Sequence, residues 1–234
     1  MAAEFAFSYS RWSAWSECPA KYRYKHVDKL PEPKSAAMAK GIAAHQAAAD
    51  YVSGKTDVLP PALRHYSRLA GEMRAVPEDH KFVEAQFAFD QDHQRCDWFG
   101  PNAAWRFIWD VGIVNGAKTQ VNAVDFKTGS PRGSYDAQMQ IFAIPAYWMF
   151  PKLENFLGHL AYLDTGDTVT VSYDRGVFYG PSGDPAKREG LHGYWMNNVA
   201  MMRNDRAFVA TPSRDACKFC HYSDRRGGPC HDRF

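Results

Sequence analysis

The sequence predicts an α/β domain with a mixed central sheet of three to five strands, flanked by helices. Three observations carry this. Apolar residues recur at three- and four-residue spacing up to Ala75, the pattern changes to alternation at Lys81, and helical spacing returns at Gly133 before further alternating runs.

The elements follow in order. Tyr9, Trp12, Trp15, Cys18 and Tyr22 form one helical stripe, interrupted at Cys18-Pro19, so two short helices meet there with Pro at the first turn of the second. Leu30-Pro-Glu-Pro33 is a linker, Ser35 to Val52 is an Ala-rich helix bearing Gly41 and His45, and Pro60 to Ala75 reads as another helix. Lys81 to Asp90 alternates, with Phe82, Glu84 and Gln86 on one face and Val83, Ala85 and Phe87 on the other. Trp105 to Val114 and Gln120 to Thr128 are strands joined through Asn115-Gly116, a hairpin signal. A helix over Gly133 to Met149, a hairpin of Asn155 to Asp164 with Thr168 to Tyr173, a turn-rich stretch, and a helix over Leu191 to Asp205 complete the order. The parts read as one domain over residues 1–234: a helical part (8–75), a sheet part (81–175) and a helix with a cysteine tail (190–234).

Composition bounds the function. Hydrophobic residues at 45% with charged residues at 23% exclude wholesale disorder. The net charge of +2 gives no global signature of a nucleic-acid binder, so any such role needs a local basic groove. Two basic runs stand out, Lys21-Tyr-Arg-Tyr-Lys25, interleaved with aromatics suited to stacking, and Arg225-Arg226. No stretch approaches the roughly 18 apolar residues of a membrane helix, and Met-Ala-Ala-Glu-Phe lacks the sections of a signal peptide. Five cysteines, three of them crowded at one end, suit metal ligation in a reducing compartment better than a disulfide scaffold. The expected location is cytoplasmic, in a prokaryotic or phage-encoded protein, with no membrane partner.

Two constellations carry chemistry. On a strand, residues i and i+2 share a face, so Asp125 and Lys127 point together while Phe126 is buried opposite. The Asn115-Gly116 turn would bring Asp110 beside Asp125. Asp110 lies in the apolar run Trp109-Asp-Val-Gly-Ile-Val114, where an unpartnered carboxylate would be costly. Converging carboxylates suit a hard cation such as Mg²⁺ or Mn²⁺, and an imidazole from His45 would tilt the site towards Mn²⁺. The second constellation is Cys217-Lys-Phe-Cys220 with Cys230 and the remote Cys18; it suits either Zn²⁺ or an iron–sulfur cluster, and spacing does not separate the two. His221 and His231 could replace one thiolate at zinc. Cys96 reads as incidental.

In the order Gly41-x-x-x-His45, Glu84, Trp109-Asp110, Asp125-Phe-Lys-Thr-Gly129 and Gln138-x-x-x-Phe142, the chain resembles the PD-(D/E)XK nuclease superfamily. It is most similar to the RecB-type and CRISPR-adaptation exonuclease branch, and the resemblance runs from about Ser8 to Cys230. It implies a restriction-endonuclease-like core, with N-terminal helices and cysteine tail joined by a cluster. His45, Asp110, Asp125 and the Phe126 carbonyl would be metal ligands, Lys127 would orient or deprotonate the attacking water, Gln138 would hold DNA or the lysine, and Glu84 would be a supporting carboxylate. A [4Fe-4S] cluster on Cys18, Cys217, Cys220 and Cys230 follows from the same resemblance. Two features depart from it: Phe142 stands where the family usually has Tyr, and nine residues separate Cys220 from Cys230.

The expected function is therefore a metal-dependent DNA exonuclease acting on single strands or duplex ends, in recombination, phage DNA processing or CRISPR adaptation. No phosphate loop of an ATP-driven motor occurs, so unwinding would come from a helicase, recombinase or CRISPR integrase in trans. The rivals are a non-catalytic nucleic-acid-binding module and a zinc-bound adapter on the same fold.

Overall fold

The computed structural model describes residues 6–33, 35–131 and 136–232. The chain divides into two compact units, residues 36–195 and a terminal unit of residues 1–35 with 196–234.

In the terminal unit, α1 (Tyr9–Glu17) starts where the Ser8 hydroxyl accepts a bond from the Arg11 N–H. Extended backbone at Cys18 ends it, and Pro19 opens α2 (Pro19–Tyr22), which runs on into a π-helical turn over Arg23–Val27. The aromatic stripe is tied by its polar ends. Trp12 Nε1 donates to Asn198 at 3.3 Å, and Trp15 Nε1 donates to Asp205 at 2.8 Å.

The sheet unit opens with α3 (Ala36–Val52). The expected helix over Pro60 to Ala75 is instead a 3₁₀ turn, Pro61–Tyr66, followed by α4 (Ser67–Ala75), because two successive prolines pin the start of the segment. The strands are β1 (Lys81–Phe89), β2 (Arg95–Cys96), β3 (Trp105–Val114), β4 (Gln120–Lys127), β5 (Asn155–Tyr162) and β6 (Thr168–Asp174). They make one six-stranded sheet in the order β2-β1-β3-β4-β5-β6. All neighbours are antiparallel except β4 and β5. That parallel pair needs a crossover, supplied by α5 (Asp136–Met149); residues 133–135 of the expected helix lie outside the described residues. The count exceeds three to five because β2, at two residues, is too short to show a period. The Asn115-Gly116 hairpin closes through a longer loop than a two-residue turn. Asn115 Oδ1 accepts from the Thr119 and Gln120 N–H groups at 2.8 and 3.0 Å.

Helices cover both faces of the sheet. On one, Ala48 and Val52 of α3 and Ala70 and Met73 of α4 pack on Val111, Val124 and Phe126. On the other, the indole of fully buried Trp109 donates to the Phe142 carbonyl of α5 at 3.2 Å and lies 4.8 Å from the Phe87 ring. Beyond β6 come α6 (Arg175–Tyr179), α7 (Gly190–Asn204) and α8 (Arg214–Lys218). This mixed α/β arrangement is consistent with a PD-(D/E)XK core. Among the described residues no helix is long and apolar enough to cross a membrane.

Candidate active site

Strand alternation breaks once in β1 and once in β3, at facing positions. Phe82 and Phe87, five residues apart, would lie on opposite faces of a regular strand, yet their rings stand 5.7 Å apart and both meet Trp109. In β3, a Cβ on Gly112 would come within 2.4 Å of the Trp109 ring, so these residues share a face although three positions separate them. Val111 between them packs on the α3 side. The ladder pairs Val83 with Val111 and Ala85 with Trp109 but skips Glu84 and Asp110. Glu84 sits at φ +46°, the left-handed region that a non-glycine residue enters at a cost of about 1–3 kcal/mol. The alternation expected for Phe82, Glu84 and Gln86 therefore fails at Glu84, and both skipped carboxylates turn towards α3.

There they meet His45. One donor atom each from His45, Glu84 and Asp110 lies within 4.8 Å of the others. Donors on opposite sides of Mg²⁺ or Mn²⁺ stand about 4.2 Å apart, twice a metal–oxygen distance of about 2.1 Å, so little closure is needed to share one ion. His45 Nδ1 is 3.1 Å from Asp110 Oδ2, and the same oxygen accepts the Phe126 N–H at 2.7 Å. Gly41, Ile42, His45, Gln46 and Glu84 line an open cleft over this cluster.

Asp125 falls outside the group of three. The β3–β4 register, Val111 against Val124, places it opposite Asp110 one step beyond the last paired residues. Gln138 Nε2 donates to its Oδ1 at 2.6 Å, and Lys127 Nζ lies 2.6 Å from its Oδ2. The ammonium approaches Oδ2 off-axis, which leaves this fully buried oxygen with no aligned hydrogen bond. Phe126 is in the core, as expected. Phe142 is buried too.

The electrostatics register crowded negative charge. Burial pushes the Asp125 carboxyl up to about 6; Lys127 opposes this and Asp110 adds to it. Burial and the Asp110 charge raise Glu84. Burial disfavours the charged form of His45, but its bond to Asp110 and the charges of Asp110 and Asp125 outweigh that and raise it. Three carboxylates around one imidazole and one ammonium, with a buried oxygen lacking an aligned donor, form a donor set that fits a divalent cation. One contributor escaped sequence reasoning. Asp164 accepts from the Gly129 N–H at 2.8 Å and from Lys40 Nζ at 2.8 Å, fastening the end of the Lys127 strand to α3. No local pattern around it signals this role.

In the terminal unit, Cys18, Cys217, Cys220 and Cys230 line one cavity with Lys21, Tyr24 and Asp232, and no disulfide joins them. Cys18 lies at the α1–α2 junction and Cys217 on α8. The nine-residue gap before Cys230 is taken up by a tight return: the Cys230 N–H donates to Tyr222 O at 2.8 Å and the Asp224 N–H to Cys230 O at 2.9 Å. Gly228 is required in it, since a Cβ would approach the Tyr222 carbonyl to 2.3 Å. Burial raises the Cys230 thiol, and the neighbouring Cys18 and Cys220 add to this.

The first basic run is spent on internal pairs. Lys21 pairs with Glu17 at 2.8 Å, Arg23 with Asp28 at 3.1 Å, and Lys25 with Glu32. Tyr22 is buried, and the Tyr24 ring lies 5.6 Å from that of Tyr222.

A model of the PD-(D/E)XK nuclease superfamily matches residues 6–110, the stretch that carries His45, Glu84 and Asp110. The match suggests a metal-dependent nuclease, with DNA as the substrate that such nucleases imply. No curated protein matches the chain. Among the solved structures that do is the crystal structure of SSO0001, 13% identical over 92% of this chain and 79% of that one, with a TM-score of 0.40. A likeness that distant assigns no role to any residue here.

Proposed function

We propose that this chain is a divalent-metal-dependent deoxyribonuclease, an exonuclease of the RecB-type branch acting on single strands or duplex ends, with residues 1–234 working as one nuclease domain. The observation that carries the reading is the convergence of His45, Glu84 and Asp110, with the Asp125–Lys127 pair on the next strand. His45, Glu84 and Asp110 would hold Mg²⁺ or Mn²⁺, with Asp125 and the Phe126 carbonyl as further ligands. When bound, the ion lowers the pKa of a coordinated water and neutralises charge on the phosphate.

The chain's own groups do the rest. Lys127, partly exposed beside Asp125, offers N–H donors to a phosphate oxygen and orients the attacking water. Gln138 holds the Asp125 carboxylate in place from α5. Burial of Asp110 and Asp125 keeps competing water from their oxygens. Incubating end-labelled DNA with Mn²⁺ or EDTA tests this: cleavage that needs Mn²⁺ and is lost in Asp125→Ala supports it, whereas undiminished cutting by that variant refutes the site. Partners in trans would be a helicase, recombinase or CRISPR integrase, and the setting recombination, phage DNA processing or CRISPR adaptation in the cytoplasm.

For the cysteines we propose a structural [4Fe-4S] cluster. The reading rests on the resemblance and on the four thiols that line one cavity. Thiolates on one tetrahedral zinc stand about 3.8 Å apart, given Zn–S near 2.3 Å, while a polynuclear cluster binds each thiolate on a different iron and spreads them. One observation favours the rival zinc reading: the cavity between them measures about 20 Å³, room for a single ion. The visible spectrum of anaerobically purified protein separates the two. A colourless zinc protein without nuclease activity would favour a non-catalytic binding module or adapter.

A further inference from the structure

The second basic run differs from the first in being unspent. Arg214 and Lys218 are four residues apart on α8 and so share a helical face. The loop from Cys220 to Cys230 folds back to place Arg225 and Arg226 beside them, and the four cations line one cleft of about 280 Å³ with Cys217 and Ser223. All four are exposed, and none enters an ion pair among the described residues. The carboxylates of the same segment, Asp215 and Asp224, do not line the cleft. Arg226 donates to the Lys218 carbonyl at 3.3 Å, which fixes the loop against the helix. Four like charges line the cleft with no ion pair among the described residues, and a ligand carrying negative charge at intervals complements them.

An aromatic ring adjoins the cleft. Phe219 is 67% exposed, unusual for a large apolar side chain, and the Lys218 ammonium lies 5.1 Å from its ring centroid. Cations that track a phosphate backbone beside an open ring are the two components of single-strand recognition.

We propose that this cleft is a binding site for single-stranded nucleic acid, with Arg214, Lys218 and Arg225 on successive phosphates and Phe219 stacked on a base. The site belongs to the terminal unit alone, and it deepens the nuclease reading by naming a place that grips the substrate strand apart from the acidic cluster.

The test is fluorescence-anisotropy binding of a labelled oligodeoxynucleotide across a salt series, on Asp125→Ala protein without added divalent metal. Each neutralised phosphate contact on a single strand contributes about 0.7 to the slope of log affinity against log salt. The triple variant Arg214→Gln/Lys218→Gln/Arg225→Gln is expected to flatten that slope by about 2, and the double Lys-for-Arg control, Arg214→Lys/Arg225→Lys, to keep it. Phe219→Ala is expected to weaken single-strand binding about five- to a hundredfold with the slope unchanged, and to spare a blunt duplex. Should the triple variant fail to fold, each single Gln variant is expected to flatten the slope by about 0.7.

An unchanged slope in the Gln variants overturns the proposal. So does competition by inorganic phosphate at matched ionic strength with no slope change in those variants, which would mark a free-anion site. Failure here is separable from failure of the nuclease reading. Flattened slopes with no Mn²⁺-dependent cleavage by the wild type leave the cleft standing without the enzyme; cleavage with unchanged slopes does the reverse.

Discussion

The acidic cluster and the cysteine cavity both gather donors from distant parts of the chain, by opposite means. In the sheet unit, antiparallel register sets Asp110 against Asp125, and matched breaks in β1 and β3 turn Glu84 and Asp110 towards α3. The scaffold there is a six-stranded sheet packed between helices. In the terminal unit the thiols come from a helix junction, a five-residue helix and the two ends of a loop, with one isolated bridge between Ser223 and Cys230 as the local strand pairing. Short elements of that kind lean on whatever the thiols bind. On the proposed readings, the first site spends fold stability to place its ligands, and the second would draw stability from its ligand.

This contrast can be broken at several points. The largest effect is expected from Asp125→Ala, which should cut the cleavage rate by about 10³-fold or more with cooperative melting retained, because burial raises that carboxyl to about 6 and so opposes its charge in the fold. Cys217→Ser should do the opposite: loss of bound iron or zinc, read by metal analysis, and cooperative melting of the terminal unit at lower temperature, read by calorimetry. A tail that melts unchanged would put the two sites on the same footing.

Glu84→Gly sharpens the comparison at one residue. Glycine accepts φ +46° freely, so the variant should gain about 1 kcal/mol in a denaturant titration while losing about tenfold or more in Mn²⁺ affinity. A destabilised Glu84→Gly would mean that the break is not strained.

The pH dependence follows from Asp125. Its carboxyl is raised by burial to about 6 from an ordinary 3.8, so the folded state holds a proton that the unfolded state releases. Stability without metal should therefore fall as pH rises from about 4 through about 6, by at most about 3 kcal/mol, the sign set by fewer protons bound in the unfolded chain. Added Mn²⁺ should restore stability above that range, as checked by melts with and without the ion. The smallest effect is expected from Cys96→Ser, within about 0.5 kcal/mol and with metal content unchanged, since Cys96 stands apart on β2.

Legibility in the sequence follows the same division. Asp110, Asp125 and Lys127 could be placed because strand period and a turn signal fix which side chains meet across a hairpin. Resemblance put Gln138 on DNA or the lysine, whereas its amide bonds Asp125, since a helix after the strand has no period that aims it. Glu84 too is named only through resemblance, as a supporting carboxylate; by pattern it is an ordinary alternating position, because the break at φ +46° leaves no mark in Phe82, Glu84 and Gln86. In the tail, the cysteines were visible but their meeting place was not, because it depends on the glycine-permitted return before Cys230. The two basic runs looked alike as residues; the carboxylates that neutralise the first, Glu17, Asp28 and Glu32, become evident only with the fold.

The most direct test of the central claim is calorimetric titration of Mn²⁺ into metal-stripped wild-type protein and Asp110→Asn, a variant that keeps the acceptor for the Phe126 N–H but removes the charge. Binding to the wild type, with loss of affinity of at least tenfold and of cleavage together in Asp110→Asn, is the expected result. Equal Mn²⁺ affinity in the two proteins would mean that His45, Glu84 and Asp110 do not share an ion, and the active site would have to be sought elsewhere.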